Sequence, residues 1–368
     1  MRNATNNGCT LTYPEYVAFA FNAQPILVKN GASNYQHLRV SITGAGKTIT
    51  HTVDFFDGKV QDDVRAYVQS FFLDINFDLS YMMNGETTDL GKTLSFDVDV
   101  LGNNNNALAS FSFDVFYLWG GLQLGKSTTL NAYRKRKIFA NFPFTFGLWV
   151  DQEATLLYAP NGRIKSDYVE VDREGLYEFS PNIPEGATSY SIFDYAGRIT
   201  QATFDLSFDL TFYLKNGLQT KLFDFDVDWC TEGVYLRWVD HFGQYGYYLF
   251  KSGSETRKTS IENAFERRDL MQYDDVYGYH GRFGSRGNYE REDTIPLCAP
   301  LVDSDTFDFL QDLATSPVVD MYCGKDENGN PKWRGVQIAA GSFTKDFKKQ
   351  LQDFVVNMVL PKYELQKL

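Results

Sequence analysis

Histidine and cysteine are scarce in this chain. Only four histidines occur, His37, His51, His241 and His280, and none stands in an H-x-x-x-H pair. Four cysteines, Cys9, Cys230, Cys298 and Cys323, are scattered without a C-x-x-C or a Cys/His cluster. Structural zinc needs such a cluster, so no metal or cofactor is expected. Two disulfides are arithmetically open, and reduced or buried thiols are the reading adopted. No G-x-S-x-G elbow is present, which leaves a serine hydrolase without local support. No apolar run approaches ~18 residues, so no membrane partner is expected. The opening Met1–Tyr16 has no apolar core, so no signal peptide is expected and synthesis in the cytoplasm is. Basic residues are outnumbered, with 35 Lys plus Arg against 47 Asp plus Glu, a formal charge of −12. That balance repels a phosphate backbone, so nucleic acid is not an expected partner.

The chain is rich in aromatics, with 31 Phe, 23 Tyr and 5 Trp, and in alternation of period two. Phe204, Leu206, Phe208, Leu210 and Phe212 alternate with polar residues, as a half-buried antiparallel strand requires. Asn216-Gly217 supplies a tight turn. Phe223, Phe225, Val227 and Trp229 then face inward against Asp224, Asp226 and Asp228. Val234–Trp238 and Tyr245–Phe250 form the next hairpin, through Asp240-His241-Phe242-Gly243. Earlier, Leu38–Thr43 and Thr48–Phe55 flank the turn Gly44-Ala45-Gly46. Phe96, Val98 and Val100 lead through Gly102–Asn106 to Phe111, Phe113 and Val115. The segments Ser95–Trp119 and Ala202–Trp229 read alike, as a duplicated module or as two strands sharing one amphipathic pattern.

Helical spacing occurs at Val60–Phe72, with Asp62 and Asp63 in its first turn, and at Asp303–Ala314, which starts on an Asp/Ser cap. Phe354–Leu360 reads as a strand, although Phe347, Leu351, Phe354 and Met358 also suit a helix. The expected fold class is mainly β, antiparallel β-sandwich modules with a few short helices. At 368 residues the chain exceeds one ordinary core. The expected organisation is an N-terminal β-rich domain with one helix over 1–150, a connecting segment over 151–200 and a C-terminal sandwich over 201–368. Residues 251–295 break the alternation and read as a long loop. They bring together Arg257, Arg267, Arg268, Tyr273, Tyr277, Tyr279, Arg282, Phe283, Arg286 and Tyr289, the candidate subunit-interface residues. Acids beside these arginines (Asp274, Asp275, Glu290, Glu292, Asp293) suit a protein partner; a mobile surface loop is the competing reading.

Other motifs are weaker. Gly44-Ala45-Gly46-Lys47-Thr48 ends like a P-loop, but Ser41 replaces the first glycine and a strand follows, so a hairpin turn is expected. Gly278, Gly281, Gly284 and Gly287 have the wrong spacing for a dinucleotide fingerprint. Asp224, Asp226 and Asp228 share a strand face and could hold calcium, but at ~7 Å intervals they converge poorly on an ion, so a solvated strand face is the reading adopted over metal. Tyr245, Tyr247 and Tyr248 are candidates for stacking on sugars, against burial in a core or interface.

The hairpin Trp229–Val239 with Gly243 and Tyr247-Tyr248-Leu249-Phe250 resembles virion structural proteins of tailed phages and prophages of Bacteroides-type gut bacteria. Asn141–Phe146, Trp119-Gly120-Gly121 and the closing helix–strand–strand pattern, Phe307–Leu360, are similar too. The resemblance implies a distal-tail-like, baseplate or neck ring subunit, with neighbouring copies of itself and other virion proteins as partners. It implies a virion location, no enzymatic activity and no catalytic residue. A glycan-binding adhesin or receptor-binding module is the alternative, and a carbohydrate hydrolase a more distant one.

Overall fold

A computed structural model describes residues 1–29, 31–122, 130, 132–151, 154–162, 168–171, 173–195, 219–266, 273–276, 278–279 and 285–361. The fold is mainly β, as the alternation requires. The chain divides into two compact units, Met1–Thr231 with Val239–Gly246, and Glu232–Trp238 with Tyr247–Leu368.

Among the described residues the first unit holds four sheets. Arg2–Asn6, Cys9–Tyr13, Pro25–Val28 and Val60–Asp63 make an antiparallel sheet. Val17–Phe19, Ala107–Leu118, Gly91–Leu101, His37–Gly44 and Lys47–Asp54 make a second. Leu11, Ile26 and Val28 share one core with Leu38, Val40, Ile42, Phe96 and Val98, which makes the pair a sandwich. The alternation of Leu94, Phe96, Val98 and Val100 with Ser95, Asp97 and Asp99 puts the apolar row inside. The turn at Ala45 and Gly46 takes φ of 45° and 74°, the left-handed conformation that a two-residue hairpin requires. No helix follows it, so the P-loop reading ends there.

Arg134–Phe139, Gln219–Asp228, Ser189–Tyr195, Ala154–Pro160 and Tyr168–Val171 form the third sheet. Phe146–Val150, Gly175–Phe179 and Glu86–Thr87 form the fourth. Phe146 of the fourth meets Phe223 of the third with ring centroids 5.1 Å apart. Residues 151–200, expected to connect two domains, thus contribute four strands to these sheets. The strand expected at Phe204–Phe212, its turn and most of the proposed duplicate lie outside the described residues.

Sequence and structure part at Val60–Phe72. Val60–Asp63 is a strand, because it pairs residue for residue with Pro25–Val28. The helix is confined to Arg65–Gln69, followed by one tight turn over Ser70–Phe72. Asp63 lies ahead of that helix, and its Oδ1 accepts from Gln24 N (2.9 Å) and Arg65 N (3.1 Å). Tertiary pairing here overrides helical spacing.

The main sheet of the second unit returns on itself. Its order is Pro331–Gly335, Val319–Lys325, Val234–Val239, Tyr245–Ser252, Ser285–Val302, Gln352–Val359 and Gln337–Ile338. The first and last strands are consecutive in the chain, separated by Val336, whose N–H donates to Val319 O at 2.9 Å. Helix Ser304–Thr315 packs on this sheet. Asp303 caps it by accepting from Thr306 N at 2.8 Å, and it buries Phe307, Leu310 and Leu313. Phe307 meets Phe354 at 5.2 Å and Phe309 meets Trp238 at 5.0 Å. Gln352–Val359 is a strand, which resolves the choice between strand and helix at the C-terminal end. No helix among the described residues is long and apolar enough to cross a membrane.

Candidate functional site

The stretch 251–295 is largely strand, which corrects the reading of a long loop. Ser285–Val302 runs for 18 residues. From Thr294 onward it pairs with Gln352–Val359. Before that, its only partner among the described strands is Thr256–Glu266. A two-stranded ribbon therefore leaves the sheet. Over Thr256–Ser260, where the side chains are described, every residue is exposed, so no alternation announces the strand.

Opposite charges face each other in the ribbon's register. Arg257 stands opposite Asp293, and Lys258 opposite Glu292, favourable cross-strand pairs. At the root, the Arg291 guanidinium forks onto the buried Asp293 carboxylate through two bonds of 2.6 Å. Asp293 O accepts from Leu360 N at 2.9 Å, which ties the root to the sheet.

Of the expected interface residues, Arg257, Arg286 and Tyr289 fall on this ribbon. Arg257 is exposed and ion-paired to Glu255 at 2.8 Å. Arg286 pairs in register with Phe265, and Tyr289 with Ile261. Tyr273 and Tyr279 are brought directly opposite each other in a short hairpin. Arg267, Arg268, Tyr277, Arg282 and Phe283 lie outside the described residues, as does His280.

The other candidates resolve into packing. Tyr245, Tyr247 and Tyr248 are buried, so they offer no stacking surface to a sugar. The aspartate stripe is neutralised by a basic strand alongside it. Lys135 pairs with Asp226 at 3.2 Å and Lys137 with Asp228 at 2.6 Å. Asp224 accepts from Ser191 Oγ at 2.5 Å and Tyr133 OH at 2.7 Å, and pairs with Lys221. These bonds outweigh burial and hold the Asp224 carboxyl below its usual range. No cluster of metal-ligating side chains occurs among the described residues. All four cysteines are free thiols. A cleft of about 500 Å³ in the second unit is lined by Val319, Val336 and Leu360, with Glu292, Asp320 and Gln337 as polar groups. Asp320 is tied to the buried Arg237, whose Nε donates to Oδ2 at 2.9 Å.

Sequence reasoning missed Glu178, the one acid inside the apolar strand Gly175–Phe179. That isolation was the available signal. Its side chain is buried, and Oε1 accepts from Tyr245 N at 3.0 Å. Gly147 leaves the room: a Cβ there would lie 2.6 Å from Oε1. Neither Glu178 Oε2 nor Gln244 Nε2 has a hydrogen-bond partner among the described residues, while Arg134 donates to Gln244 Oε1. Burial pushes the carboxyl up to about 8. Bonds from Thr145 and Tyr245 and the charge of Arg134 oppose the rise, and Asp240 adds to it. The side chain is only 1% exposed. Comparison with known proteins finds no matching family model and no matching curated protein.

Proposed function

We propose that this chain is a structural subunit that works by assembling with copies of itself. The class is the one its sequence resembles: a tail, baseplate or neck ring component of a phage virion, acting through contact surfaces. The observation that carries this reading is the ribbon formed by Thr256–Glu266 and Ser285–Asp293. A ribbon of two strands is marginal on its own, and its outer edges have no partner strand among the described residues. Docking against another chain is the ordinary way to stabilise such an arm. The pinned root at Asp293 holds it ready for that contact. Ring assembly fits an arm of this kind, since head-to-tail contacts join two different patches and close when the rotation closes.

The test is a variant in which residues 258–291 are replaced by a short turn, compared with the intact chain by light scattering and electron imaging. Large closed species from the intact chain and a folded monomer from the variant are expected. Rings of the same size from the variant would overturn the reading.

A further inference from the structure

The segment Val239–Gly246 belongs to the first unit, although the chain on either side of it belongs to the second. Asp240 shapes its turn, with Oδ1 accepting from Phe242 N at 2.8 Å and from Gln244 N at 2.9 Å. Several elements of the first unit grip this turn. Gly121 N donates to His241 O at 3.0 Å, and Tyr245 OH donates to Phe77 O at 2.9 Å. Arg134 donates to Gln244 Oε1 and lies over the Phe242 ring, 5.0 Å from its centroid. Gly120 and Gly147 let the backbone come close. A Cβ on Gly120 would lie 2.2 Å from His241 O, and one on Gly147 2.5 Å from Gln244 Cγ. Yet Asp240–Gln244 pairs with no strand of the first unit's sheets. The turn can leave its socket without breaking a sheet, as a local opening requires.

Glu178 is the acid inside this socket. Its Oε1 accepts from Tyr245 N at 3.0 Å, and Thr145 also bonds the carboxyl. A charged carboxylate here is poorly compensated. Arg134 favours ionisation, but its guanidinium already bonds Gln244 Oε1 and Leu130 O, the latter at 2.7 Å. Asp240, in the turn itself, opposes ionisation. Glu86 stands directly across the sheet from Glu178, with Oε1 accepting from Ser80 N. His241, the turn's other titratable group, is exposed. Glu178 Oε2 has no hydrogen-bond partner among the described residues. Burial on these terms keeps the carboxyl neutral while the turn is seated. The raised value of about 8 agrees. Once the turn lifts away, water reaches the carboxyl and it ionises from its ordinary 4.5 upward.

We propose that Val239–Gly246 is a proton-operated catch, seated in the first unit while Glu178 is protonated and released locally as the pH rises toward neutrality. Below pH 4.5 the carboxyl is protonated whether the turn is seated or lifted, and the catch holds at full strength. Between 4.5 and about 8 only the lifted state ionises, so each pH unit favours release about tenfold. Above about 8 the seated state ionises too and the trend levels off. The catch does not depend on the assembly reading above.

Amide hydrogen exchange at pH 5 and pH 7, corrected for the intrinsic rate at each pH, tests it. The N–H groups of Gly121 and Tyr245 report the turn, and that of Val98, within the buried strand Gly91–Leu101, reports unfolding of the unit. The turn amides are expected to exchange well ahead of Val98 at both pH values. Their protection is expected to fall on the order of 50-fold from pH 5 to pH 7 in the parent. In Glu178→Gln, with circular dichroism confirming the fold, it is expected to stay level. In His241→Asn the fall is expected to remain. Turn amides protected as strongly as Val98, or no fall in the parent, overturn the catch on the parent alone. A fall that persists in Glu178→Gln, or vanishes in His241→Asn, overturns the assignment to Glu178.

Discussion

Replacing Glu178 with Gln isolates the cost of burying an acid with one unpartnered oxygen. The side chain keeps its shape and its acceptor for Tyr245 N, and loses only the ionisable proton. In the folded protein the carboxyl titrates at about 8, against an ordinary value of 4.5. Below the ordinary value both the folded and unfolded states are protonated, and Glu178 costs nothing by this route. As the pH rises from 4.5 toward 8, the unfolded state ionises while the folded state stays protonated, so stability falls. At about 1.4 kcal/mol per unit, the loss is about 1 kcal/mol at pH 5 and about 3 at pH 7, and levels off near 5 above pH 8. Glu178→Gln removes this dependence. Urea denaturation of both proteins at pH 5 and pH 7 measures it. The variant is expected to gain about 2 kcal/mol on the parent between the two pH values. Parallel pH profiles for the two proteins would refute the assignment of a raised value to this group.

Three further outcomes follow from the packing. Asp320→Asn weakens the ion pairing of the buried Arg237 and is expected to cost up to about 3 kcal/mol in denaturant unfolding. Asp303→Ala removes the cap of helix Ser304–Thr315 and should cost about 1 kcal/mol by the same measurement. Gly120→Ala places a Cβ 2.2 Å from His241 O, a backbone atom that cannot step aside, and should lower stability by about 1–3 kcal/mol and depress the melting temperature.

Where a strand has one wet and one dry face, its sequence already told the story. Gly91–Leu101 and Ala107–Leu118 were legible because Phe96, Val98, Phe111 and Val115 must face a core while Asp97, Asp99 and Ser112 must not. The helix capped by Asp303 was legible for a similar reason, since cap and apolar spacing agree. Val60–Asp63 was misread because its fate is decided by Pro25–Val28, a partner distant in the chain. The arm was misread as a loop because Thr256–Ser260 is exposed throughout and carries no alternation. Its ion pairs, Arg257 with Glu255 and Arg291 with Asp293, look in sequence like an ordinary charged stretch. The outward face of Val355 was invisible for another reason. Val355 lies between buried Phe354 and Val356, and only the register against Ser285–Val302 shows which of these apolar neighbours points outward.

The account's central claim is that the chain assembles. The most direct measurement is the mass of the purified protein in solution by light scattering, over a wide concentration range. The account predicts a species that is a whole-number multiple of the 42.1 kDa chain, with closed rings on imaging. A single 42.1 kDa species at every concentration would contradict it.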